Sequence, residues 1–329
     1  MKIAIIAPFS NQLSTLHGLA FGLQECGHEW IPIESKPLAF KAQHKNINYT
    51  NFILKQAENC DTLLIAKGTN IPVSTFSLLQ DKQYDTTYWC NDSVSGNGCG
   101  PPGRPKEIGP RGKLCTRIML TGTEGARWFR KQGYIGRMAQ IYQGCRHHIW
   151  KPGESPRTNQ ERITFLGSIY SGDGDRSSKF RAITGAGYSL YHSKRCFHEA
   201  AANVYWNSAI CPNFVCGDIT SNRVTRILAS GGFCLTERNI DITHSFTDGK
   251  ELAIFERDNI PQMLELIAYY MQNQPLREKI AMAGHAWTRD KGWPQQAEKM
   301  VRFIKGEDVP ADGASAQFTN LWKQDEETQ

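Results

Sequence analysis

Residues 221–237 read SNRVTRILASGGFCLTE, and this stretch decides the fold class. The apolar residues of VTRIL recur at helical spacing, so a short helix follows the polar residues that open the stretch. Gly231 and Gly232 end that helix. The apolar run GFCLTE, at 232–237, then predicts a buried strand. A helix that leads directly into a strand is typical of α/β proteins with parallel sheets.

The same alternation of strands and helices recurs along the chain. Four strands are predicted in a first half, at 2–7, 61–68, 86–92 and 117–122. The polar segment 151–161 contains two prolines and is expected to be a linker. Four further strands are predicted after it, at 162–168, 207–215, 232–237 and 253–257.

The sequence therefore predicts an α/β protein with two Rossmann-like domains and a cleft between them. We expect the domains at 1–152 and 153–305, with a last helix from Trp293 that packs back on the first domain. A charged, poorly ordered tail is expected at 306–329.

Composition excludes several classes of protein. Of 329 residues, 40% are hydrophobic and 21% charged, which is typical of a soluble globular chain. No apolar run is long enough for a transmembrane helix, and the start of the chain is interpreted as a buried strand and not a signal peptide. The ten cysteines lack a spaced framework and indicate reduced thiols of a cytoplasmic protein.

A zinc site and a dehydrogenase site are both disfavoured. Cysteines and histidines do collect in one region, at Cys90, Cys99, Cys115, Cys145, His147 and His148. That region contains no close CxxC pair and has poor ligand spacing, so no metal is expected. Neither half begins with a strand followed by GxGxxG, which argues against a dinucleotide site.

Two loops of the second half follow predicted strands and combine small residues with arginine. In parallel sheets such loops lie at the carboxyl ends of the strands, where ligands bind. A helix start favours an anion, and the arginine fork suits phosphate. The predicted donor-binding residues on this basis are Gly167, Ser168, Arg176, Ser221, Asn222, Arg223 and Gly232. Helix capping and ordinary turns would explain the same residues without a ligand.

An ordered set of segments in the second half resembles a known family. FLGS, SNR…ILASGGF, ITHSFTDGKEL and LREKIAMAGHAW are similar to the second domain of GT-B glycosyltransferases, over most of 162–304. The likeness is greatest to the branch related to spore-maturation proteins, which contains many phage sequences. It implies a nucleotide-sugar donor, expected to be a UDP-sugar, on the second domain, an acceptor on the first, and no further cofactor.

The chain departs from this family at one position. Relatives carry a glutamate that holds the donor ribose where this chain has Arg226. Arginine cannot accept a hydrogen bond from a hydroxyl. Either another group such as Glu237 holds the ribose, or the donor is bound in a different position. Pairing of Arg226 with a phosphate is a further interpretation.

Glycosyl transfer with inversion needs a general base near the acceptor hydroxyl. The candidates are Asp92, which ends a strand, then His17 and Glu124, which begin helices. Turn formation or helix capping would also explain each residue. A retaining reaction needs no base from the enzyme, so the stereochemical outcome stays open.

The two halves differ in charge. Residues 1–152 contain 18 Lys and Arg against 10 Asp and Glu, whereas 153–329 contain 20 against 22. Residues 93–114 are rich in glycine and proline and are expected to be a loop. The basic residues in or beside it are predicted to contact a phosphate backbone, and they are Arg104, Lys106, Arg111, Lys113 and Arg117.

The leading hypothesis is accordingly a phage-type glycosyltransferase that modifies a hydroxymethylated base in DNA, in the host cytoplasm and without a membrane anchor. One alternative is transfer to a glycan, a surface polymer or a small molecule. Another is a non-catalytic protein that binds a nucleotide or a nucleic acid. The sequence does not fix the oligomeric state.

Overall fold

The computed structural model describes most of the chain, namely residues 1–9, 15–36, 48–68, 71–91, 104–169, 176–215 and 221–312, with no side chains for 104–107. The chain divides into two compact units. The first contains the described residues up to Gln143 and those from Trp293 onward, and the second contains Gly144–Gly292. The change of unit therefore falls before residue 152, and the chain returns to the first unit at Trp293.

The first unit is built on a parallel sheet in the strand order β2-β1-β3-β4-β5-β6. Its strands are β1 (Lys2–Ala7), β2 (Glu29–Glu34), β3 (Thr62–Ala66), β4 (Thr86–Cys90), β5 (Arg117–Leu120) and β6 (Arg137–Gln140). Alternate residues of each strand face two separate apolar cores, one on each side of the sheet. A sheet covered on both faces is the arrangement expected for parallel strands.

The second unit has a smaller parallel sheet in the order β11-β10-β9-β7-β8. Its strands are β7 (Asn159–Leu166), β8 (Ser189–Ser193), β9 (Ser208–Asn213), β10 (Cys234–Glu237) and β11 (Ala253–Phe255). Apolar cores again cover both faces.

Helices connect the strands in both units. The helices that precede β6 are α1 (Thr15–Glu25), α2 (Tyr49–Ala57), α3 (Val73–Asp81), α4 (Arg104–Lys113) and α5 (Thr123–Lys131). Those of the second unit are α6 (Arg176–Gly185), α7 (His198–Trp206), α8 (Asn222–Ala229), α9 (Ile240–Ser245), α10 (Ile260–Gln272) and α11 (Gln274–Trp287). None of the helices in the described segments has the length and apolar character needed to cross a bilayer.

A last helix, α12 (Trp293–Ile304), belongs to the first unit and packs against α1. A side chain at Gly18 would collide with the Trp293 indole, and one at Gly22 would collide with the Trp293 backbone. The two glycines of α1 thus permit close contact with a helix about 275 residues away in sequence.

The structure corrects several expectations from the sequence. Strands β2, β6 and β8 were not predicted, and all three are edge strands. Edge strands are less uniformly apolar, and β2 even contains Pro32, which an edge tolerates. Strand β7 begins at Asn159, inside the segment expected to be a linker.

The segment 93–114 is not a loop throughout, because α4 occupies Arg104–Lys113. Pro110 and two glycines disfavour a helix here, but the glycines let aromatic rings pack closely: Gly109 lies against Trp128, and Gly112 lies against Phe129. Tertiary packing has therefore overridden weak helix propensity.

The start of the expected tail is also held in place. The Asp312 carboxylate accepts a hydrogen bond from the Tyr142 amide at 2.6 Å and pairs with Lys299 Nζ at 2.8 Å. Residues 313–329 lie outside the described residues.

Candidate functional site

Arg223 lies where three elements of the second unit meet at the carboxyl end of its sheet. Its Nε donates to the Leu166 carbonyl at 3.0 Å, and Nη1 donates to Asn213 Oδ1 at 3.1 Å. The guanidinium lies 4.3 Å from the centroid of the Phe165 ring. Burial lowers the pKa of Arg223 to about 10, so the side chain stays charged at neutral pH. Arg223 thus joins the ends of β7 and β9.

The neighbouring loop residues complete this arrangement. Gly167 has φ +149°, and a Cβ there would lie 2.5 Å from Arg223 Nη2, so only glycine leaves room for the guanidinium. Arg176 is buried and donates to the Ser168 and Phe214 carbonyls at 3.0 and 3.1 Å. The structure therefore brings the predicted residues of both loops to one edge, where both arginines hold backbone in place.

Ordinary helix capping explains the residues at the start and end of α8. Ser221 is the N-cap, with its hydroxyl accepting from the Arg223 amide, and Asn222 is the first helical residue. Gly231 adopts φ +68° and ends the helix. A Cβ at Gly232 would lie about 3.1 Å from Ile227 and the Tyr205 carbonyl, so packing against protein accounts for this glycine.

Glu237 is wholly buried, and its carboxylate is held by protein groups. One oxygen lies 2.5 Å from Lys179 Nζ, and the other accepts from the Val215 amide at 2.7 Å. Lys179 also pairs with Asp258 at 2.7 Å. These contacts leave Glu237 as a support for the strand ends and do not favour its contact with a ribose.

Arg226 lies near Arg146 and His198, two residues that no sequence motif marks. Its guanidinium lies 5.1 Å from the centroid of the Trp150 ring. Burial, and then the nearby charge of Arg146, lower its pKa. Burial lowers the pKa of His198 as well, with further lowering by Arg146 and Arg226. Arg146, Arg226 and His198, called here the arginine cluster, are all partly buried.

The arginine cluster lacks a compensating acid in close contact. Among the residues that the structure describes, neither guanidinium has a hydrogen-bond or ion-pair partner. Glu199 acts on His198 only electrostatically and is exposed. Two like charges held near each other favour an anionic ligand. Arg146 and His198 follow no motif, so only the folded chain could reveal them.

The described members of the cysteine and histidine group weighed for zinc do not assemble, and Cys99 lies outside the described residues. Cys90 and Cys115 lie in a core of the first unit, whereas Cys145 lies in the second, 3.6 Å from His147 Nδ1. Burial raises the pKa of Cys145 to about 12, which keeps it a neutral thiol. Within the described ranges, no three His, Cys, Asp or Glu side chains are placed to hold a metal ion.

The candidate bases differ in their contacts with other residues. His17 Nε2 lies 3.1 Å from the Phe9 carbonyl, to which it donates. In that tautomer Nδ1 carries the lone pair and can accept a proton. Glu124 forms an ion pair with Arg127 one turn away, and Asp92 lies outside the described residues. Of the three candidates, His17 is thus the one whose described contacts leave a ring nitrogen that can accept a proton.

Two of the residues predicted to contact DNA make contacts within the protein. Arg111 is buried, and its Nε donates to the Ile71 carbonyl at 3.0 Å. Arg117 pairs with Asp85 at 2.7 Å. Lys113 is exposed, whereas the side chains of Arg104 and Lys106 lie outside the described part of the chain.

The first similarity to known proteins lies mainly in the second unit. Residues 154–302, a little under half of the chain, match the family model described as glycosyl transferase-like. The predicted likeness to a glycosyltransferase family is confirmed for that segment, while the spore-maturation and phage branch stays a prediction. Comparison with curated protein sequences gives no significant match.

Solved structures match both units. HepE of Anabaena, in complex with UDP and glucose, is 10% identical with a TM-score of 0.68, over 93% of this chain and 100% of that one. Sucrose-phosphate synthase of Thermosynechococcus elongatus is 10% identical with a TM-score of 0.68, over 93% and 98%. A glycosyltransferase of Rickettsia africae is 11% identical with a TM-score of 0.62, over 93% and 98%. The predicted GT-B fold is confirmed.

Proposed function

We propose that the chain transfers a sugar from a nucleotide-sugar to an acceptor hydroxyl, with the donor bound by the second unit and the acceptor by the first. The family match over 154–302 supports this activity. HepE, a protein of similar fold, has been solved with UDP-glucose. The observation that carries the proposal is the set of arginines at or beside the carboxyl end of the second sheet, an arrangement suited to a diphosphate.

In this proposal the arginines have two different roles. Arg223 and Arg176 hold the ends of β7 and β9 through backbone contacts. In the proposal, their positive charge stabilises the leaving diphosphate. The arginine cluster supplies guanidinium groups with no hydrogen-bond partner among the described residues. A UDP-sugar is the donor that best agrees with the ligands of the structural neighbours.

The chemistry needs one bond formed and one broken. The acceptor oxygen attacks the anomeric carbon, and the bond from that carbon to the diphosphate oxygen breaks with both electrons on the diphosphate. Arginine charge stabilises that leaving group. In an inverting reaction His17 Nδ1 takes the acceptor proton; in a retaining reaction the diphosphate takes it.

Measuring UDP-sugar turnover tests the activity directly. We expect the protein to bind UDP in calorimetry and to hydrolyse or transfer from UDP-glucose or another UDP-sugar. Binding of UDP without any turnover, across donors and acceptors, would favour a non-catalytic nucleotide-binding protein.

The described cysteines are all free thiols, in keeping with action in the cytoplasm.

A more specific acceptor, a hydroxymethylated base in DNA, has support from the basic charge of residues 1–152. Because the fold engages Arg111 and Arg117, that support rests on Lys113, Arg104 and Lys106. In this version of the proposal, DNA binding weakens with salt by about 0.9 log units per log unit of salt for each phosphate contact. Replacing the three residues by Gln flattens that slope. Mass spectrometry of nucleosides after reaction identifies a glycosylated base.

A further inference from the structure

The backbone after α12 follows β6, an edge strand of the first sheet. At the start of β6, Arg137 Nη2 donates to the Glu307 carbonyl at 2.7 Å. At the end of β6, the Asp312 amide donates to the Gln140 carbonyl at 3.3 Å. Residues 307–312, called here the C-terminal segment, therefore run beside β6 in the same direction and reach the carboxyl end of the sheet.

The C-terminal segment contains two aspartates whose surroundings differ. The Asp308 side chain is 84% exposed, and its Oδ1 lies 3.5 Å from Arg137 Nη2. The Asp312 side chain is only 4% exposed; Oδ1 lies 2.8 Å from Lys299 Nζ, and Oδ2 accepts from the Tyr142 amide at 2.6 Å. A carboxylate is buried at an acceptable cost only when it is paired, and charge-assisted bonds of this length are strong. Asp312 therefore fixes its two partners relative to each other.

One partner of Asp312 leads to the start of α1. Tyr142 is followed by Gln143, the last residue of the first unit before the chain enters the second. Gln143 Oε1 accepts from Thr15 Oγ1 at 3.1 Å, and Thr15 is the first residue of α1. The backbone that Asp312 holds thus also holds the start of this helix.

The other partner, Lys299, belongs to α12, which packs against α1. This helix contacts Gly18 so closely that a Cβ there would collide with it. His17 lies between Thr15 and Gly18 in the sequence. Both elements that Asp312 joins therefore contact a residue within two positions of His17.

The His17 ring depends on the position of this helix start. Its Nε2 donates to the Phe9 carbonyl at 3.1 Å, and the Phe9 ring lies edge-on with its centroid 5.6 Å away. This bond holds the proton on Nε2 and the lone pair on Nδ1. Helix ends fray more readily than helix interiors. A displaced first turn would break the bond and let the two tautomers mix.

We propose that Asp312 is a positioning residue for sugar transfer. Through Tyr142 and Lys299 it fixes the two elements that hold the first turn of α1, and thereby the tautomer and the position of the His17 ring. This inference rests on the proposed function, since it concerns the base of the inverting reaction. Asp312 touches no substrate in this proposal and acts only through α1.

Variants of the two aspartates test the proposal by turnover. Asp312→Ala removes both contacts, whereas Asp312→Asn keeps an acceptor for the Tyr142 amide. We expect turnover of Asp312→Ala to fall about tenfold to a hundredfold, the effect of a small misplacement of a reacting group. Asp312→Asn should recover a large part, and Asp308→Ala, the matched control, should behave as wild type. UDP affinity should be the same in all of them, because the proposed donor site lies in the second unit.

The state of the His17 ring supplies a measurement that needs no turnover. Nitrogen NMR distinguishes the two neutral tautomers of a histidine, and the signals of His17 are identified by their loss in His17→Gln. In mildly alkaline solution, where histidine is neutral, we expect wild type and Asp308→Ala to carry the proton on Nε2. Asp312→Ala should show a mixture of both tautomers. Thr15→Val breaks the same route at α1 and should do likewise, which keeps the test available if Asp312→Ala does not fold.

The proposal is overturned if the His17 signals are the same in wild type, Asp312→Ala and Thr15→Val. A lower denaturation midpoint of Asp312→Ala with unchanged His17 signals would likewise overturn it, because Asp312 would then only stabilise the fold. Absence of turnover in the wild-type protein would instead count against the proposed function. A change of tautomer in Asp312→Ala would still establish the positioning of His17 in that case.

Discussion

The Lys179 ammonium lies 2.5 Å from a carboxylate oxygen of Glu237, and these side chains are only 2% and 0% exposed. Lys179 comes from α6, and Glu237 ends β10. The second carboxylate oxygen accepts from the Val215 amide, just beyond β9. One buried ion pair therefore fixes the ends of two strands beside the proposed donor site.

Breaking this ion pair should cost much stability. Lys179→Met leaves the Glu237 charge buried opposite a neutral side chain, a loss of about 3–5 kcal/mol in the free energy of unfolding. Adding Glu237→Gln, which keeps an acceptor for the Val215 amide, should recover a large part. Urea denaturation measures both. A single variant as stable as wild type would show that the pair contributes little.

Arg223 should matter for stability as well as for donor binding. Arg223→Lys keeps the charge but cannot reach both Leu166 and Asn213, and the lost charged hydrogen bonds are worth about 1.5–3 kcal/mol. Gly167→Ala should act alike, since its Cβ displaces the guanidinium. Arg181→Lys, at an exposed position of α6, is the control. For each variant, denaturation measures the stability and calorimetry measures the affinity for UDP. Normal stability with weaker UDP binding would show that Arg223 acts only in ligand binding.

The arginine cluster should affect UDP affinity without a loss of stability. Replacing Arg146 and Arg226 by Gln removes two charges that repel each other, so the folded state should be unharmed. If each contributes about 1.5–3 kcal/mol to diphosphate binding, affinity falls at least tenfold per residue. The double variant Arg181→Gln, Arg289→Gln, at two exposed positions, controls for net charge. Equal UDP affinity in the cluster variant and this control would place the diphosphate elsewhere.

His17 should be needed for turnover if the reaction inverts. His17→Gln retains an N–H donor for the Phe9 carbonyl but has no ring nitrogen to accept a proton, so turnover should fall by about 10²–10⁴-fold at constant UDP affinity. His28→Gln, in the same unit, should behave as wild type. Near-normal turnover of the His17 variant would shift the role to Asp92 or Glu124, or favour retention; Asp92→Asn separates these outcomes.

Stability should decrease as the solution is acidified below about pH 6.5, the ordinary histidine value. The pKa values of His147 and His198 are lowered in the folded protein, chiefly by burial, then by His285 and His148 for the former and by Arg146 for the latter. The unfolded chain therefore binds more protons in this range. The double variant His147→Gln, His198→Asn should show a shallower dependence of the denaturation midpoint on pH. An unchanged slope would assign the effect to other groups.

The sequence predicts the parts of this molecule that follow from local pattern. Central strands such as β3 are continuous apolar runs, and the caps of α8 follow from Ser221 and Gly231. The edge strands β2, β6 and β8 were missed because their pattern is mixed. Helix α4 was missed because aromatic packing at Gly109 and Gly112 decides it.

The candidate site divides in the same way. Arg223 and Gly167 stand in recognisable strand-end loops. Arg146 and His198 carry no signal in the sequence, because only the fold brings them close to Arg226.

The position of α12 affects the order in which the two units can fold during synthesis. The core of the first unit needs Trp293 against Gly18 and Ala297 against Gly22, so it stays incomplete until the ribosome has made these late residues. Residues 144–292, by contrast, are all available earlier. The second unit can therefore finish folding on the ribosome while the first still waits for its last helix.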